Sequence, residues 1–474
     1  MNTQSTQCPL CVDLDGTLVK SDLLLESLFA LLKANLFYVF LLPFWLSKGK
    51  ANLKHEIAKR AEVDVSLLPY NKELIEFLET EKNKGRKILL VTATNRKYAD
   101  QVAAHTNLFD DVLASNIETN LSGSNKLKAI QTHLDQPFVY AGNDDIDLKV
   151  WQHSHSAIVV SDDTKLIASA EKITHIEKTF GSGTNPLAHL KAMRPHQWIK
   201  NLLIFLPLLA AHQITNSELF FQAIIAFFAF SLCASSVYLL NDLLDLPLDR
   251  HHHSKRNRPY ASGSASLKEG AILIPILLGI AFIIALLLPI EFLGVLVFYY
   301  SCTMLYSLKL KNVVLVDAIL LAGLYTLRII AGAAAVSVEL SFWLLAFSMF
   351  IFLSLAMVKR YSELQNVVKK GQKTIRGRGY QTCDLETLIS FGGASGYMAI
   401  LVMALYINSE DVSQMYAHPE IIWLLCPLLL FWVSKIWLVT RRGWMHDDPV
   451  VYAIKDRNSR IVLIIAALIM AMAL

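Results

Sequence analysis

The stretch Asp13-Leu14-Asp15-Gly16-Thr17-Leu18 directly follows the short apolar run 9–12. A second acidic stretch, Asn241-Asp242-Leu243-Leu244-Asp245-Leu246-Pro247-Leu248-Asp249-Arg250, follows a long apolar segment. The first is typical of a phosphoryl-transfer site in a soluble domain, and the second of a site for Mg²⁺ and a diphosphate at a membrane surface. The sequence therefore predicts a phosphatase-like domain fused to a membrane transferase.

Composition separates the chain into two parts. It is 54% hydrophobic over 474 residues, too apolar for a soluble protein of this length, which predicts several membrane spans. Charged clusters such as 79–87 lie in the first part, whereas long apolar stretches dominate after Trp198. We expect a soluble domain at 1–180, a linker with an amphipathic entry helix at 181–198, and a transmembrane domain at 199–474.

The soluble part follows a β/α pattern. Apolar runs at 10–14, 87–92, 138–141 and 157–161 alternate with helical stretches such as 71–82. This alternation predicts a doubly wound, Rossmann-like parallel sheet with its active residues at the carboxyl ends of the strands. The N-terminus is polar and lacks the basic region of a signal peptide, so the domain is expected in the cytoplasm.

Four motifs occur in order along this part. They are the Asp13–Thr17 stretch (13–17), the sequence Thr92-Ala93-Thr94-Asn95 after a strand, Lys126, and the run Ala141-Gly142-Asn143-Asp144-Asp145-Ile146-Asp147. Together they resemble the haloacid dehalogenase-like (HAD) superfamily. The resemblance implies an α/β HAD domain with a Mg²⁺-dependent phosphatase site.

The resemblance also implies a role for each motif. Asp13 would be the nucleophile that forms an aspartyl-phosphate, and Asp15 would serve as acid and base for the leaving group and then for water. Phosphoryl oxygens would be bound by Thr92 and Lys126. The expected Mg²⁺ ligands are Asp13, Asp15, Asn143 and Asp147.

One residue departs from the HAD pattern. Asn143 stands where the family usually has aspartate. An asparagine oxygen can ligate Mg²⁺ but adds no charge, so a lower affinity for the metal is expected. Asp144 or Asp145 could take over its role.

An apolar stretch lies between the first and second motifs. Residues 28–46, LFALLKANLFYVFLLPFWL, are interrupted by Lys33, Asn35 and Pro43. A full membrane crossing would separate the first strand from the rest of its sheet, so we expect an interfacial helical hairpin at the bilayer surface. The alternative is an ordinary core helix of a cap region.

Nine apolar segments are candidate spans, the first and last of marginal length. They cover 199–211, 219–240, 271–289, 292–308, 313–335, 341–358, 387–407, 420–438 and 460–474. If the N-terminus is cytoplasmic, every Lys and Arg of the connections lies on the cytoplasmic side, and none lies in 212–218, 290–291, 336–340 or 408–419. This positive-inside pattern predicts a nine-helix bundle in the inner cell membrane with cytoplasmic active-site loops.

The acids of the second stretch recur at helical spacing. On one helix Asp242, Asp245 and Asp249 would share a face. Three carboxylates at a membrane edge are costly unless they bind a cation, and Mg²⁺ bridging a diphosphate is the expected one. The alternative is a solvated helix end.

This stretch, followed by HSKRNRPYASG at 253–263, resembles the first motif of the UbiA superfamily of intramembrane prenyltransferases, over 190–474. The family's second DxxxD motif is missing, because the corresponding loop offers Glu363 among cations. That loop and the stretch 194–201 resemble the branch that contains decaprenyl-phosphate phosphoribosyltransferase. The branch transfers 5-phosphoribose from phosphoribosyl diphosphate (PRPP) to a polyprenyl phosphate.

The resemblance implies Mg²⁺ at both sites, with PRPP and a lipid phosphate as substrates. Asp242, Asp245 and Asp249 would hold the metal and the diphosphate. Binding of the anionic substrates is expected from Lys200, Asn201, Asn241, Arg250, Lys255, Arg258, Tyr306, Lys309, Lys359, Arg360 and Glu363. Arg328, deep in a span, would either pair with a buried polar group or contact the lipid phosphate.

Two other functional interpretations stay open. The membrane part could move a polyprenyl group from its diphosphate to an aromatic acceptor, although the missing DxxxD and the abundant cations disfavour this. The HAD domain could be regulatory rather than a phosphatase for the 5-phosphate of the lipid product. No nucleic-acid partner is expected, and the sequence predicts neither polyprenyl length nor oligomeric state.

Overall fold

The computed structural model describes residues 8–369, 371, 374, 378–409, 412, 415–445 and 448–474. The chain forms two compact units. Unit 1 contains Met1–Arg194 and Tyr238–Ile276, and unit 2 contains Pro195–Val237 and Leu277–Leu474. A part of the expected transmembrane domain, the segment Tyr238–Ile276 with the second acidic stretch, therefore belongs to the same compact unit as the soluble domain.

Unit 1 is built on a parallel six-stranded sheet with the order β3-β2-β1-β4-β5-β6, which confirms the predicted parallel α/β sheet. The strands are β1 Leu10–Val12, β2 Ile88–Asn95, β3 Asp111–Ser115, β4 Val139–Gly142, β5 Ser156–Val160 and β6 His175–Phe180. The central strands are apolar along their length because helices cover both faces of the sheet.

Two strands of this sheet were not predicted. The edge strand β6 reads HIEKTF, and most of its residues are exposed. The other edge strand, β3, is only partly buried. Edge strands bury one face or less, so their sequences lack the continuous apolar run that marks the central strands.

Helices surround the sheet and follow the strands in alternation. The first nine are α1 Leu23–Ala34, α2 Leu42–Ser47, α3 Lys50–Arg60, α4 Lys72–Asn83, α5 Arg96–Thr106, α6 Ser124–His133, α7 Leu148–Trp151, α8 Thr164–Glu171 and α9 Leu187–Ala192. Asp22 caps α1 by accepting a hydrogen bond from the Leu25 amide at 3.0 Å, and Asn95 caps α5 in the same way.

The apolar insert is helical and leaves large side chains exposed. After α1, a 3₁₀ segment at Leu36–Phe40 leads into α2. Phe37 and Phe40 are each 75% exposed and Phe44 is 56% exposed. An exposed aromatic patch of this kind is unusual for a surface that faces only water.

The remaining helices carry the apolar segments. They are α10 Leu206–Ala210, α11 Ser217–Leu244, α12 Leu246–His251, α13 Leu267–Ala285, α14 Ile290–Leu308, α15 Val316–Val336, α16 Phe342–Lys369, α17 Leu385–Ile407, α18 Leu425–Arg441, α19 Pro449–Lys455 and α20 Arg457–Ala473. Within the described ranges, seven helical segments are long and apolar enough to cross a membrane. The first and last of the nine predicted spans fall on shorter helices, α10 and α20.

The second acidic stretch does not form a single helix. Helix α11 ends at Leu244 and α12 begins at Leu246, with Asp245 between them in a non-helical conformation. The predicted common face of the three aspartates is therefore interrupted, because Pro247 favours the start of a new helix. The amide of Asp245 still donates to the Asn241 carbonyl at 2.9 Å, so the two helices stay nearly continuous.

Candidate functional site

The first acidic motif lies at a cavity formed where parallel strands end. The cavity has a volume of about 490 Å³. Asp13 follows β1, and its amide donates to the carbonyl of Ala141 in the neighbouring β4 at 3.0 Å. The sheet thus brings together motif residues far apart in sequence, and the cavity is lined by Asp13, Asp15, Lys126, Asn143 and Asp147.

Asp13 and Lys126 form a buried ion pair. The Lys126 Nζ lies 3.0 Å from Asp13 Oδ2 and donates to the Tyr140 hydroxyl at 2.7 Å. Burial raises the pKa of Asp13 to about 6, with Lys126 opposing the rise. A carboxylate beside a cation is an arrangement that can attack a phosphoryl group bound by that cation.

Asp15 is held in a different way, by hydrogen bonds without a paired cation. Its Oδ1 accepts from the Leu23 amide at 2.8 Å, and its other oxygen accepts from the Thr94 hydroxyl. Burial raises the pKa of Asp15 to about 7. A carboxyl group with such a pKa can carry a proton near neutral pH, as a general acid must.

In the second motif, Thr94 contacts the Asp15 side chain, whereas Thr92 lies behind it. Thr92 is fully buried, and its hydroxyl oxygen accepts from the Thr94 amide at 3.0 Å. Thr94 in turn donates to Asp15. Thr92 thus shapes the turn that places Thr94.

The fourth motif forms a tight turn against the first. Asp147 Oδ2 accepts from the amides of Asn143 at 2.9 Å and Asp144 at 3.1 Å, so this carboxylate shapes the loop that carries Asn143. Gly16 has φ +74°, and a Cβ there would lie 2.2 Å from Asn143 Nδ2. Only glycine permits this approach.

Lys54 was not among the predicted site residues. It lines the same cavity and donates to the Ala93 carbonyl at 2.6 Å and to Asn120 Oδ1 at 2.8 Å. Burial lowers the pKa of Lys54. Its only signal in the sequence is its place in the basic stretch after the apolar insert.

The second acidic stretch is surrounded by cations within unit 1. Arg258 Nη1 lies 3.1 Å from Asp242 Oδ1 and 2.6 Å from Asp249 Oδ2. Arg194 also pairs with Asp242. Asp242 and Asp249 therefore converge on Arg258, as the predicted spacing required, whereas Asp245 pairs with Lys33 of α1 at 2.8 Å.

The other predicted residues of this stretch lie outside the group formed by Asp242, Asp249 and Arg258. Arg250 is buried in a pair with Glu26 of α1, at 2.8 and 2.6 Å. Lys255 is exposed, and Asn241 is partly buried. Helix α1 thus contacts the acidic stretch twice, through Glu26 and Lys33, and sequence spacing gave no sign of either contact.

The oxygen donors at both places fit Mg²⁺. The described residues contain no cluster of three or more His, Cys, Asp or Glu arranged for a metal ion. Mg²⁺, however, is usually held by one or two carboxylates together with water and substrate phosphate. Asp13 and the Asn143 amide oxygen can supply such a set, and Asp242 Oδ2 is buried with no hydrogen-bond partner in the described structure.

Unit 2 holds two further polar clusters. In the first, Asp448 Oδ2 lies 2.8 Å from Lys200 Nζ and 3.0 Å from Lys359 Nζ. Although burial opposes ionisation, these two lysines lower the pKa of Asp448 below its usual range. Both predicted lysines are thus brought together, and Asp448 joins them.

The second cluster centres on Asp317 and Arg360, both fully buried. Asp317 pairs with Arg360 and, at 2.8 Å, with Arg378. Arg360 also pairs with Glu363 at 2.6 Å. Tyr306 donates to Asp317 at 2.8 Å. The structure therefore joins the predicted residues Tyr306, Arg360 and Glu363 into one network.

Other predicted residues of unit 2 lie outside these two clusters. Asn201 accepts from Arg328 at 2.9 Å and donates to Ser231 at 2.8 Å, so Arg328 has a buried polar partner. Lys309 is exposed at the end of α14. Arg376 and Asp447, two further charged residues of the connecting loops, lie outside the described residues.

Two family models match successive parts of the chain. A model of the UbiA prenyltransferase family matches residues 202–449, and a model of haloacid dehalogenase-like hydrolases matches residues 10–136. The chain belongs to the UbiA prenyltransferase family. It carries a HAD-like domain fused to the UbiA domain.

Several curated proteins are similar. The uncharacterized protein y4nM of Sinorhizobium fredii is 35% identical over 98% of this chain and 91% of its own length. Nodulation protein NoeC of Azorhizobium caulinodans is 32% identical over 60% of this chain and 92% of its own. Decaprenyl-phosphate phosphoribosyltransferase of Mycolicibacterium smegmatis is 28% identical over 56% of this chain and 86% of its own.

Solved structures show a weaker similarity to part of the chain. A UbiA homolog from Archaeoglobus fulgidus, bound to DMAPP and Mg²⁺, has a TM-score of 0.44 and 17% identity. The alignment covers 60% of this chain and 96% of that chain.

Proposed function

We propose that the chain is a two-step membrane enzyme. Its UbiA domain transfers 5-phosphoribose from PRPP to a polyprenyl phosphate, and its HAD domain removes the 5-phosphate from the product. The observation that carries this proposal is the attachment of the acidic stretch to the HAD domain within one compact unit, through Glu26–Arg250 and Lys33–Asp245. Similarity to decaprenyl-phosphate phosphoribosyltransferases supports the choice of donor and acceptor.

In the transfer step, the C1–O bond of PRPP breaks and diphosphate leaves. An oxygen of the lipid phosphate, which is already ionised, forms the new bond to C1, so no general base is needed. Asp242, Asp245 and Asp249 would hold Mg²⁺, which supplies charge neutralisation for the diphosphate. We assign anionic oxygens of the diphosphate to Arg258, since such oxygens need compensating cations.

In the hydrolytic step, Asp13 attacks the 5-phosphate and Asp15 gives a proton to the leaving sugar oxygen. Water then attacks the aspartyl-phosphate, Asp15 takes a proton from it, and inorganic phosphate leaves. Lys126 binds the phosphoryl oxygens beside Asp13. Asp13 and Asn143 would hold Mg²⁺ here, with Asp147 keeping Asn143 in place.

We also propose the nine-span topology, with domain boundaries at 180 and 198 and with the HAD domain and the chemical loops in the cytoplasm. The positive-inside distribution of Lys and Arg supports it. The exposed phenylalanines of the insert would then rest in the bilayer surface, which brings the HAD domain to a lipid substrate.

The insert can be tested with Phe37→Ser and Phe40→Ser in one chain. Loss of two membrane contacts should slow phosphate release from a bilayer-embedded substrate about threefold to tenfold, because the HAD domain would be held less firmly at the bilayer surface. Release from water-soluble ribose 5-phosphate should not change. If the variant is slowed equally with both substrates, or with neither, the insert does not bring the HAD domain to the lipid.

The transfer step is tested by incubating the full chain with PRPP labelled in the ribose, polyprenyl phosphate and Mg²⁺. Label should enter the lipid fraction, and chelation of Mg²⁺ should abolish this. The matched reaction contains polyprenyl diphosphate and an aromatic acid. Prenylation of the acid without labelling of the lipid would show that the chain is an aromatic prenyltransferase.

A further inference from the structure

One wall of the HAD cavity comes from outside the HAD-matching sequence. Gly263, Ala265, Ser266, Leu267 and Lys268 line the cavity that also contains the Asp13 and Asp15 carboxylates. These five residues lie in the UbiA-matching part of the chain. The phosphatase-like cavity is therefore incomplete without a loop of the transferase.

The loop is fitted closely to the HAD domain. Gly263 has φ +74°, and a Cβ there would lie 2.6 Å from the backbone oxygen of Lys20 and 3.2 Å from Pro69, so a larger residue would push the loop away. On its other side, the Asn185 amide donates to the Ser264 carbonyl at 2.9 Å. These contacts make the loop a fixed part of the cavity wall.

A buried ion pair anchors the start of the loop. Arg250 Nε donates to the Ala261 carbonyl at 3.0 Å, while its other nitrogens are held by Glu26. The side chains of Arg250 and Glu26 are only 5% and 3% exposed. Because a buried pair of this kind is costly to break, it ties the loop position to helix α1.

Four lysines line the cavity, along with the aspartates Asp13, Asp15, Asp22, Asp144 and Asp147. Lys126 is paired with Asp13, and Lys54 is engaged by the Ala93 carbonyl and Asn120. Lys20 and Lys268 also line the cavity, and neither forms an ion pair with any described side chain. Lysines left unpaired at a cavity wall are suited to a second anionic group on the ligand.

We propose that segment 259–268 is the cap of the phosphatase cavity, and that Lys20 and Lys268 bind a second anionic group of its substrate. This rests on the proposed function, in which the substrate carries a 5-phosphate and a phosphodiester at C1. The 5-phosphate is attacked by Asp13, and the phosphodiester is bound by the two lysines. The cavity therefore selects a sugar with two phosphate groups over a simple phosphomonoester.

The test compares two water-soluble probes on the full chain. One is ribose 5-phosphate, and the other is ribose 5-phosphate with a methyl phosphodiester at C1. The variant combines Lys20→Met and Lys268→Met, and the matched control is Lys172→Met, at an exposed lysine outside the cavity. Phosphate release is measured over a range of probe concentrations.

Loss of two charge-assisted contacts should raise the KM for the diester probe at least about tenfold, with kcat little changed. The kcat/KM for ribose 5-phosphate should stay within about twofold, and the control should match the intact chain. An equal loss on both probes, or no loss on either, would overturn the proposal.

A binding measurement separates this proposal from the phosphatase assignment. Calorimetry of the diester probe with the full-length Asp13→Asn chain should show binding that the two lysine changes weaken at least about tenfold. If the intact chain releases no phosphate but this weakening is seen, the phosphatase assignment fails and the anion site stands. If the lysine changes leave binding unaltered, the anion site fails.

Discussion

The two acidic sites of this chain differ in how their carboxylates are compensated. In the HAD cavity, Asp13 has one paired lysine and Asp15 is held by neutral donors. In the second stretch, by contrast, each aspartate faces a cation. Asp242 has Arg194 and Arg258, Asp249 has Arg258, and Asp245 has Lys33.

The difference separates two kinds of chemistry. A buried carboxyl group that forms no ion pair, such as Asp15 with its raised pKa of about 7, can exchange a proton near neutral pH, which suits acid and base catalysis. A carboxylate that lies against arginine or lysine shares its surroundings with anion-binding groups, which suits binding of a metal together with an anionic substrate. This difference agrees with the roles that we propose, cleavage of a phosphate ester at the first site and binding of a diphosphate at the second.

The largest expected effect is on proton transfer at Asp15. In Asp15→Asn, release of phosphate from a sugar phosphate should fall about a thousandfold, because the leaving alkoxide receives no proton. With p-nitrophenyl phosphate, whose leaving group needs no proton, the loss should be much smaller. The same loss with both substrates would mean that Asp15 does not act as the acid. Asp100→Asn, at an exposed surface pair, serves as the control.

Next in size is the effect of Asp245 on transfer. In Asp245→Asn, labelling of lipid from PRPP should fall about a hundredfold, since one carboxylate for Mg²⁺ is lost. Lys33→Ala removes the partner of Asp245 but no metal ligand, so it should cost only a few-fold. If both changes cost the same, Asp245 acts only through its ion pair.

A third prediction concerns the attachment between helix α1 and the acidic stretch. Glu26→Gln leaves Arg250 buried without its charge partner, so the free energy of unfolding should fall by about 3 kcal/mol. Glu62→Gln, at a largely exposed pair with Lys97, should cost less than about 1 kcal/mol. Thermal unfolding of the two purified variants measures this. Similar losses would show that the Glu26–Arg250 pair does not anchor the loop.

The smallest expected effect is a gain at Asn143. Asn143→Asp adds a carboxylate next to Asp13, so the Mg²⁺ concentration for half-maximal phosphate release should fall about tenfold. Titration of Mg²⁺ after treatment with a chelator measures this. An unchanged requirement would place the metal away from residue 143.

Much of the HAD cavity could be predicted from the sequence. Parallel strands bring their carboxyl ends to one edge of the sheet, so the order of the motifs was enough to bring Asp13, Asp15, Lys126 and Asn143 together. The helical spacing of the second stretch likewise predicted that Asp242 and Asp249 converge. The spacing did not predict the break at Asp245, where one helix ends and a new helix begins at Leu246.

The contacts between distant parts of the chain could not be predicted. Glu26 and Arg250 are 224 residues apart, and Lys33 and Asp245 are 212 apart. No periodicity links such positions, because the contacts depend on how helix α1 of the HAD-matching part packs against a segment of the UbiA-matching part. The contribution of segment 259–268 to the wall of the HAD cavity was not predicted, for the same reason.

The most direct test is mass spectrometry of the lipid product. The full chain and its Asp13→Asn variant are each incubated with PRPP, polyprenyl phosphate and Mg²⁺. We expect a ribosyl lipid from the intact chain and a 5-phosphoribosyl lipid from the variant. A 5-phosphoribosyl lipid from both would contradict the phosphatase step, and no sugar lipid from either would contradict the transfer step.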